Sequence, residues 1–154
     1  MSKRVITLGT WSGNPIEWIV LKEDNTGTLV ISRYNIGNFT FGSLPWGNSS
    51  LRNYLENTFF KSAFSEEEKK KIINVRVDNV KDNVFILTKD DISTLLLKNG
   101  DDDYERIHYN DCSYCIWTRT TDSSYANNGY AKGCWCRHTP NNSHAVRPAM
   151  YVKE

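Results

Sequence analysis

After Gly100 the aliphatic residues thin out, and Tyr, Trp, Asn, Ser, Cys and Gly take over. That shift limits the architecture more than any other feature, because about 50 residues of this kind can hardly close a core of their own. The aliphatic part must build the core for both. The expectation is a single domain, residues 1–154, with a loop-rich C-terminal half. With 39% hydrophobic and 12% aromatic residues, the chain has enough apolar surface to fold without staples.

The first hundred residues mix strand and helix signals, so the expected class is α+β. Pro15-Ile-Glu-Trp-Ile-Val-Leu21 and Thr28-Leu-Val-Ile-Ser32 are β-branched and aromatic, and Asn25-Thr-Gly27 lies between them. They read as an N-terminal β-hairpin with Trp18 in the core. Asn48-Ser49-Ser50 offers caps for a helix carrying Leu51, Tyr54, Leu55, Thr58 and Phe59 at helical spacing. Ser65 and Glu68 form a capping-box pattern, and Glu66–Lys70 and Glu67–Lys71 stand four apart as ion pairs on a solvated face. Lys81-Asp-Asn83 reads as a turn into a buried strand, Val84–Thr88. Thr88 then caps a helix through Ile92, Leu95 and Leu96 that ends near Asn99-Gly100.

Nineteen Lys and Arg face 18 Asp and Glu, a net charge of +1. No basic excess marks a nucleic-acid footprint, so that partner is not expected. The N-terminal apolar run is too short for a signal-peptide core, and no stretch approaches the roughly 20 apolar residues of a bilayer span. The expected location is cytoplasmic or virion-associated, without a membrane partner. In the cytoplasm the four cysteines would be reduced thiols or metal ligands rather than disulfides.

Those cysteines are the sharpest chemical feature. Cys112 and Cys115 are separated by two residues, Cys134 and Cys136 by one, and 18 residues lie between the pairs. This is close to a four-cysteine zinc site, although the second pair is one spacer short. Zinc, disulfides and unlinked thiols all remain open. His108, His138 and His144 lie in the same half, so a Cys–His nucleophilic pair is conceivable; single histidines in polar loops more often only hydrogen-bond. Asp101-Asp-Asp103 with Glu105 lacks the alternating ligands and central glycine of an EF-hand loop and reads as an exposed acidic turn. Rigid aromatics beside amides and arginine are what adaptable binding surfaces use. Arg119, Tyr125, Asn127, Asn128, Tyr130, Trp135 and Arg137 are therefore the candidate ligand face. The opposing reading is that the tryptophans are core and the amides hold turns. No phosphate loop, zinc-protease helix or nucleophile elbow appears in the sequence.

Several landmarks together resemble a known family. They are Pro15–Leu21, Leu29-Val-Ile-Ser32, Trp46-Gly-Asn-Ser-Ser-Leu-Arg-Asn-Tyr-Leu55, Phe59–Lys69, Asp82-Asn-Val-Phe-Ile-Leu87, Trp117-Thr-Arg-Thr120 and Val146-Arg-Pro-Ala-Met-Tyr-Val152. In this order they are similar to an uncharacterised bacterial family, domain of unknown function six-two-seven-three. That family usually carries Trp-Leu-Arg-Ser-Pro at the Trp117 position, from which Thr118, Thr120 and Thr121 depart. The closing Ala-Val-Arg-Pro-Ala resembles the Gly-Phe-Arg ending of C-type-lectin-like domains of the formylglycine-generating-enzyme type. The resemblance implies a C-type-lectin-like fold with two to three helices and ligand binding through the C-terminal loops. It places Trp117 and Arg147 in the scaffold. The paired copper-binding cysteines of formylglycine-generating enzymes follow a pattern that this chain does not reproduce.

The functional expectation is a non-catalytic recognition module for a protein or carbohydrate ligand. One alternative is a metal- or thiol-dependent enzyme, or a zinc-stapled protein, centred on the four cysteines. Another is a structural protein of a phage or mobile element. Sequence does not set the oligomeric state.

Overall fold

The computed structural model describes residues 4–96, 116–121, 126–129, 135–138, 141 and 143–154, with the backbone alone at 96, 126–129 and 135–138. The chain opens with three strands, β1 (Val5–Trp11), β2 (Asn14–Glu23) and β3 (Thr28–Ser32). The short strand β4 (Asn38–Thr40) and a 3₁₀ turn (Trp46–Asn48) follow. Helix α1 (Ser50–Tyr54) runs through a π turn (Leu55–Phe59) into α2 (Phe60–Ala63), and α3 (Glu66–Lys69) comes next. Then come β5 (Ile72–Ile73), β6 (Val75–Val77), β7 (Val80–Asp82) and α4 (Lys89–Asp91), which continues as a π turn (Ile92–Leu96). The last strands are β8 (Ile116–Thr121), β9 (Ala126–Gly129), β10 (Trp135–His138), β11 (Ser143–Ala145) and β12 (Ala149–Val152). The result is a mixed α+β fold, mostly strands with a few short helices.

The expected hairpin is present: β2 and β3 pair antiparallel, with Trp18 opposite Ser32 and Val20 opposite Val30. Its turn is held by Asp24, whose Oδ1 accepts the Thr26 N–H at 2.8 Å. Strand β1 has no counterpart in the sequence expectations. It joins the outer edge of β2 through a two-residue turn in which Ser12 and Gly13 both have positive φ, +53° and +81°. Such turns match the twist of the strands they connect. Register breaks between Thr7 and Thr10, and Gly9 sits in the break at φ +80°. A Cβ there would lie 2.7 Å from the Phe64 ring and 2.8 Å from the Ala63 carbonyl, so glycine is needed for close packing as well as for φ. The C-terminal β12 inserts between β3 and β5, giving the order β1-β2-β3-β12-β5. Arg4 and Glu154 then meet at 2.7 Å.

Helix α1 is capped by Ser49, whose side chain accepts the Arg52 N–H at 3.0 Å. Its inward residues are Leu51, Leu55 and Phe59, with Tyr54 half-buried; Thr58 is exposed, because the π turn rotates the apolar stripe away from it. The Ser65–Glu68 capping box is formed in full. The ion pairs beside it are Glu66–Lys69 and Glu67–Lys70, both at 3.1 Å, in place of the expected four-residue spacing. Helix α3 ends at Lys69, so Lys70 and Lys71 lie in a turn.

Two other expectations are corrected. The turn falls at Asp78-Asn79, between β6 and β7, and 81–82 belong to β7. Residues 84–87 are buried as expected and Thr88 is half-buried, but they form a link with one bridge, Phe85 to Ala149, instead of a strand. At its end Thr88 caps α4 and exchanges bonds with Asp91.

The second sheet has the order β10-β9-β8-β11-β4, with β11 parallel to β8 and antiparallel to β4. The core between the elements holds Trp18, Trp46, Trp117, Phe41 and Phe59, all nearly inaccessible to water. Trp117 and Arg147 belong to the buried scaffold, as the resemblance implied. The Trp117 indole donates to the Phe39 carbonyl at 2.8 Å, and Arg147 Nε donates to the Ser32 carbonyl at 2.9 Å. Among the described residues no helix is long and apolar enough to cross a membrane.

Candidate functional site

Where the first sheet, the β6–β7 hairpin and β8 meet, they leave an open groove of about 460 Å³. That volume is in the range of small-ligand clefts. The groove exists because the pairing rules bring distant residues together. Lys22, Leu29 and Tyr151 are cross-strand neighbours on β2, β3 and β12, so they share one face and form one wall. The hairpin contributes Arg76 and Asp78 from the other side. Buried Leu29, Val77, Phe85 and Leu87 form an apolar floor.

Arg119 enters from β8. Its backbone N–H donates to the Leu87 carbonyl at 3.0 Å, which sets β8 against the 84–88 link. Thr120 Oγ1 accepts the Lys89 N–H at 2.9 Å and ties the start of α4 to the same strand. The Arg119 side chain is only 12% exposed. Nη1 donates to the Ile86 carbonyl at 2.5 Å, and Nε reaches Asp78 Oδ2 at 3.3 Å. The guanidinium carbon lies 5.8 Å from the Phe85 ring centroid, a cation–π distance.

The Lys22 rim is a small network. The Tyr151 hydroxyl donates to Asp24 Oδ2 at 3.1 Å, and Lys22 stands 3.5 Å from the same oxygen. The Thr26 N–H, then Tyr151 and the Gly27 N–H, hold the Asp24 carboxyl below its usual range. Lys22 is held above its ordinary value, first by Tyr151 and then by Asp24. Burial, then the bond to Asp24, pushes the Tyr151 hydroxyl up. All three directions lock in the protonation states these groups already hold at neutral pH, so the network offers fixed binding groups and no proton donor or acceptor poised near neutrality.

A second cleft of about 270 Å³ lies at the opposite end of β2, walled by Trp11, Pro15, Tyr34 and Ile36. The side chains of Trp11, Asn14, Glu17 and Asn35 are already engaged. The Trp11 indole donates to the Ile36 carbonyl at 3.1 Å, and Arg33, whose guanidinium lies over the Tyr34 ring, pairs with Glu17 at 2.9 Å. The groove at Arg119 is larger and keeps unused donors, so it is the candidate site.

Among the residues expected at a ligand face, Arg119 lines the groove. The second sheet carries Asn127 and Asn128 on β9 and Trp135 and Arg137 on β10, with Arg137 opposite Asn127 and Cys136 opposite Asn128. It thus brings five of the seven onto neighbouring strands. Tyr125 and Tyr130 lie outside the described residues, as do Cys112, Cys115 and Cys134, His108 and the Asp101–Glu105 acidic turn; Cys136 and His138 are described by backbone alone. Among the described residues no three His, Cys, Asp or Glu side chains gather to hold a metal. His144 packs edge-on against Trp117 at 4.9 Å.

Sequence reasoning missed Lys22, Arg76, Asp78, Asp91 and Tyr151. A signal for two of them was present: Val75-Arg-Val-Asp-Asn-Val80 alternates about an Asp-Asn turn, which is a hairpin pattern. Nothing local in the sequence links that hairpin to Arg119.

A family model described as a domain of unknown function (DUF6273) matches residues 17–154. No curated protein and no solved structure matches the chain.

Proposed function

This chain belongs to the DUF6273 family, and from that premise and the geometry of the groove we propose that it is a non-catalytic recognition module. It binds a protein or glycan ligand, with Arg119 as an anchor inside the groove and the β8–β10 side of the second sheet as the flanking surface. The observation that carries this reading is the Arg119 guanidinium. It is largely withdrawn from water, braced by a backbone carbonyl and an aromatic ring, and it lines an open groove that also carries buried apolar residues. Arg in such a setting is an anchor residue of binding surfaces.

The same proposal includes a C-type-lectin-like architecture. Its support is that the described helices all lie before residue 97, while the described elements from Ile116 onward are all strands. The zinc- or thiol-centred reading rests on Cys112, Cys115, Cys134 and Cys136, whose side chains lie outside the described residues. Elemental analysis with a free-thiol count tests it directly.

Panning the immobilised protein against a random dodecapeptide library and a glycan array tests recognition. The expected result is a retained ligand class that Arg76→Ala and Arg119→Ala variants release while keeping their melting transitions. Retention unaffected by both substitutions, or no retained ligand from either source, would overturn the reading.

A further inference from the structure

Arg119 is incompletely used. Its Nη1 is spent on the Ile86 carbonyl and its Nε makes a long contact with Asp78, but Nη2 meets no acceptor among the described residues. A guanidinium presents its donors as a planar fork that suits both oxygens of one carboxylate. Asp78 engages one nitrogen only, at 3.3 Å, and its own side chain is 45% exposed. It sits at the tip of the β6–β7 hairpin at φ +54°, so the turn aims it and it does not pack. Arg76, two residues earlier and exposed, makes no ion pair among the described residues.

The floor decides between ligand classes. A sugar ring stacks on an open aromatic face, yet Phe85 is buried and faces Arg119 on one side, and the half-buried Tyr151 ring stands 6.5 Å from it with its hydroxyl spent on Asp24. The remaining buried lining is Leu29, Val77 and Leu87, which suits aliphatic side chains, and the acid Asp91 that also lines the groove accepts the Thr88 N–H at 3.4 Å. An apolar floor beneath two arginines fits a chain that alternates aliphatic and acidic residues.

We infer that the groove takes an acidic peptide segment, one carboxylate of which engages Arg119 through two nitrogens and displaces Asp78, while Arg76 holds a second acid. Asp78 is thus an internal competitor that occupies the anchor until a ligand arrives. This rests on the recognition reading and adds to it the ligand's charge and polymer class.

Two synthetic octapeptides test it, one alternating Val and Glu and its counterpart with Gln in place of every Glu. Each is titrated into the full chain labelled with ¹⁵N, and the Arg Nε–H signals are followed. The Glu peptide should bind at least about tenfold more tightly, because only it supplies charge-assisted bonds. Asp78→Asn should tighten it about three- to fivefold, the yield of releasing a half-exposed ion pair. Asn tolerates the positive φ at this turn, so the variant should fold. Arg119→Lys should weaken binding about tenfold, since an ammonium cannot fork. Equal binding of both peptides in the groove would leave recognition standing and sink the acidic assignment. No change on Asp78→Asn would sink the competitor role. Preference for an oligoglucuronate over the Glu peptide would overturn the peptide assignment. If neither peptide nor any panned ligand moves a groove signal, the recognition reading fails as well.

Discussion

Replacing Asp82 with Ala should be among the most damaging single changes to this fold, and its cost can be worked out from two bonds. The Asp82 side chain is fully buried at the end of β7. Oδ2 accepts the Trp46 indole N–H at 2.9 Å, and Oδ1 accepts Arg52 Nε at 2.6 Å. Trp46 is also fully buried, so without the carboxylate its N–H has no route to water. Such an orphaned donor costs about 1–3 kcal/mol. Arg52 is 26% exposed and can turn outward, so its loss is held to about 1 kcal/mol. The sum is about 2–4 kcal/mol, or roughly 6–12 °C in Tm for a chain of this size. Urea denaturation followed by circular dichroism reads the free energy, and an unchanged m-value guards against a change of unfolded state. Trp46→Phe supplies the internal check. In the Asp82→Ala background it should cost about 1–2 kcal/mol less than in the parent, because the indole has already lost its acceptor. A loss under about 1 kcal/mol, or additivity of the two changes, would refute the bond-by-bond account. The β6–β7 hairpin carries Arg76 and Asp78, so loosening this anchor should also broaden the groove's Arg119 Nε–H signal.

Gly9→Ala combines a positive φ with clashes on Phe64 and the Ala63 carbonyl, and should cost about 2–4 kcal/mol. Gly13→Ala has nearly the same φ and nothing within 4 Å, so a urea titration should show about 1 kcal/mol; equal losses would remove the packing argument. The Glu68 carboxyl is held below its ordinary value, first by the Ser65 N–H and then by the Gly9 N–H, which ties α3 to β1. A lowered folded pKa means that the contribution is complete above the unfolded carboxyl value and disappears as pH falls through the folded one. The Tm gap between the parent and Glu68→Gln should therefore be full at pH 7, shrink as pH falls below the ordinary carboxyl value of 4.5 and close once the folded carboxyl is protonated; a constant gap would contradict the assignment. Trp117→Phe deletes the bond to the Phe39 carbonyl and leaves a void beside Phe41 and His144, for a loss of about 2–3 kcal/mol by urea titration.

Features whose partners lie within a few residues could be read from the chain itself. Ser65 with Glu68, Thr88 as a cap, and the β2–β3 hairpin around Asn25-Thr-Gly27 depend on local spacing, and all are present. Burial of Trp18 and Trp117 followed from their apolar settings and the family resemblance. Family membership was legible too, because its landmarks keep their order along the chain. Pairing between distant segments was not legible. Val84–Thr88 has the composition of a strand, but whether it forms a ladder depends on the edge it meets, and β12 offers it a single bridge at Ala149. The spacing of Glu66 to Lys70 allowed an ion pair that the end of α3 at Lys69 then redirected. Above all, Lys22, Arg76, Asp78, Arg119 and Tyr151 span most of the sequence and share no motif. They become one groove only because β12 inserts beside β3 and the 84–88 link carries β8 alongside. Sequence thus determined the local caps, the hairpin and the apolar partners of the core, where the energy depends on near neighbours. Tertiary structure alone decided which charges face one another, because that energy depends on contacts the chain makes only after folding.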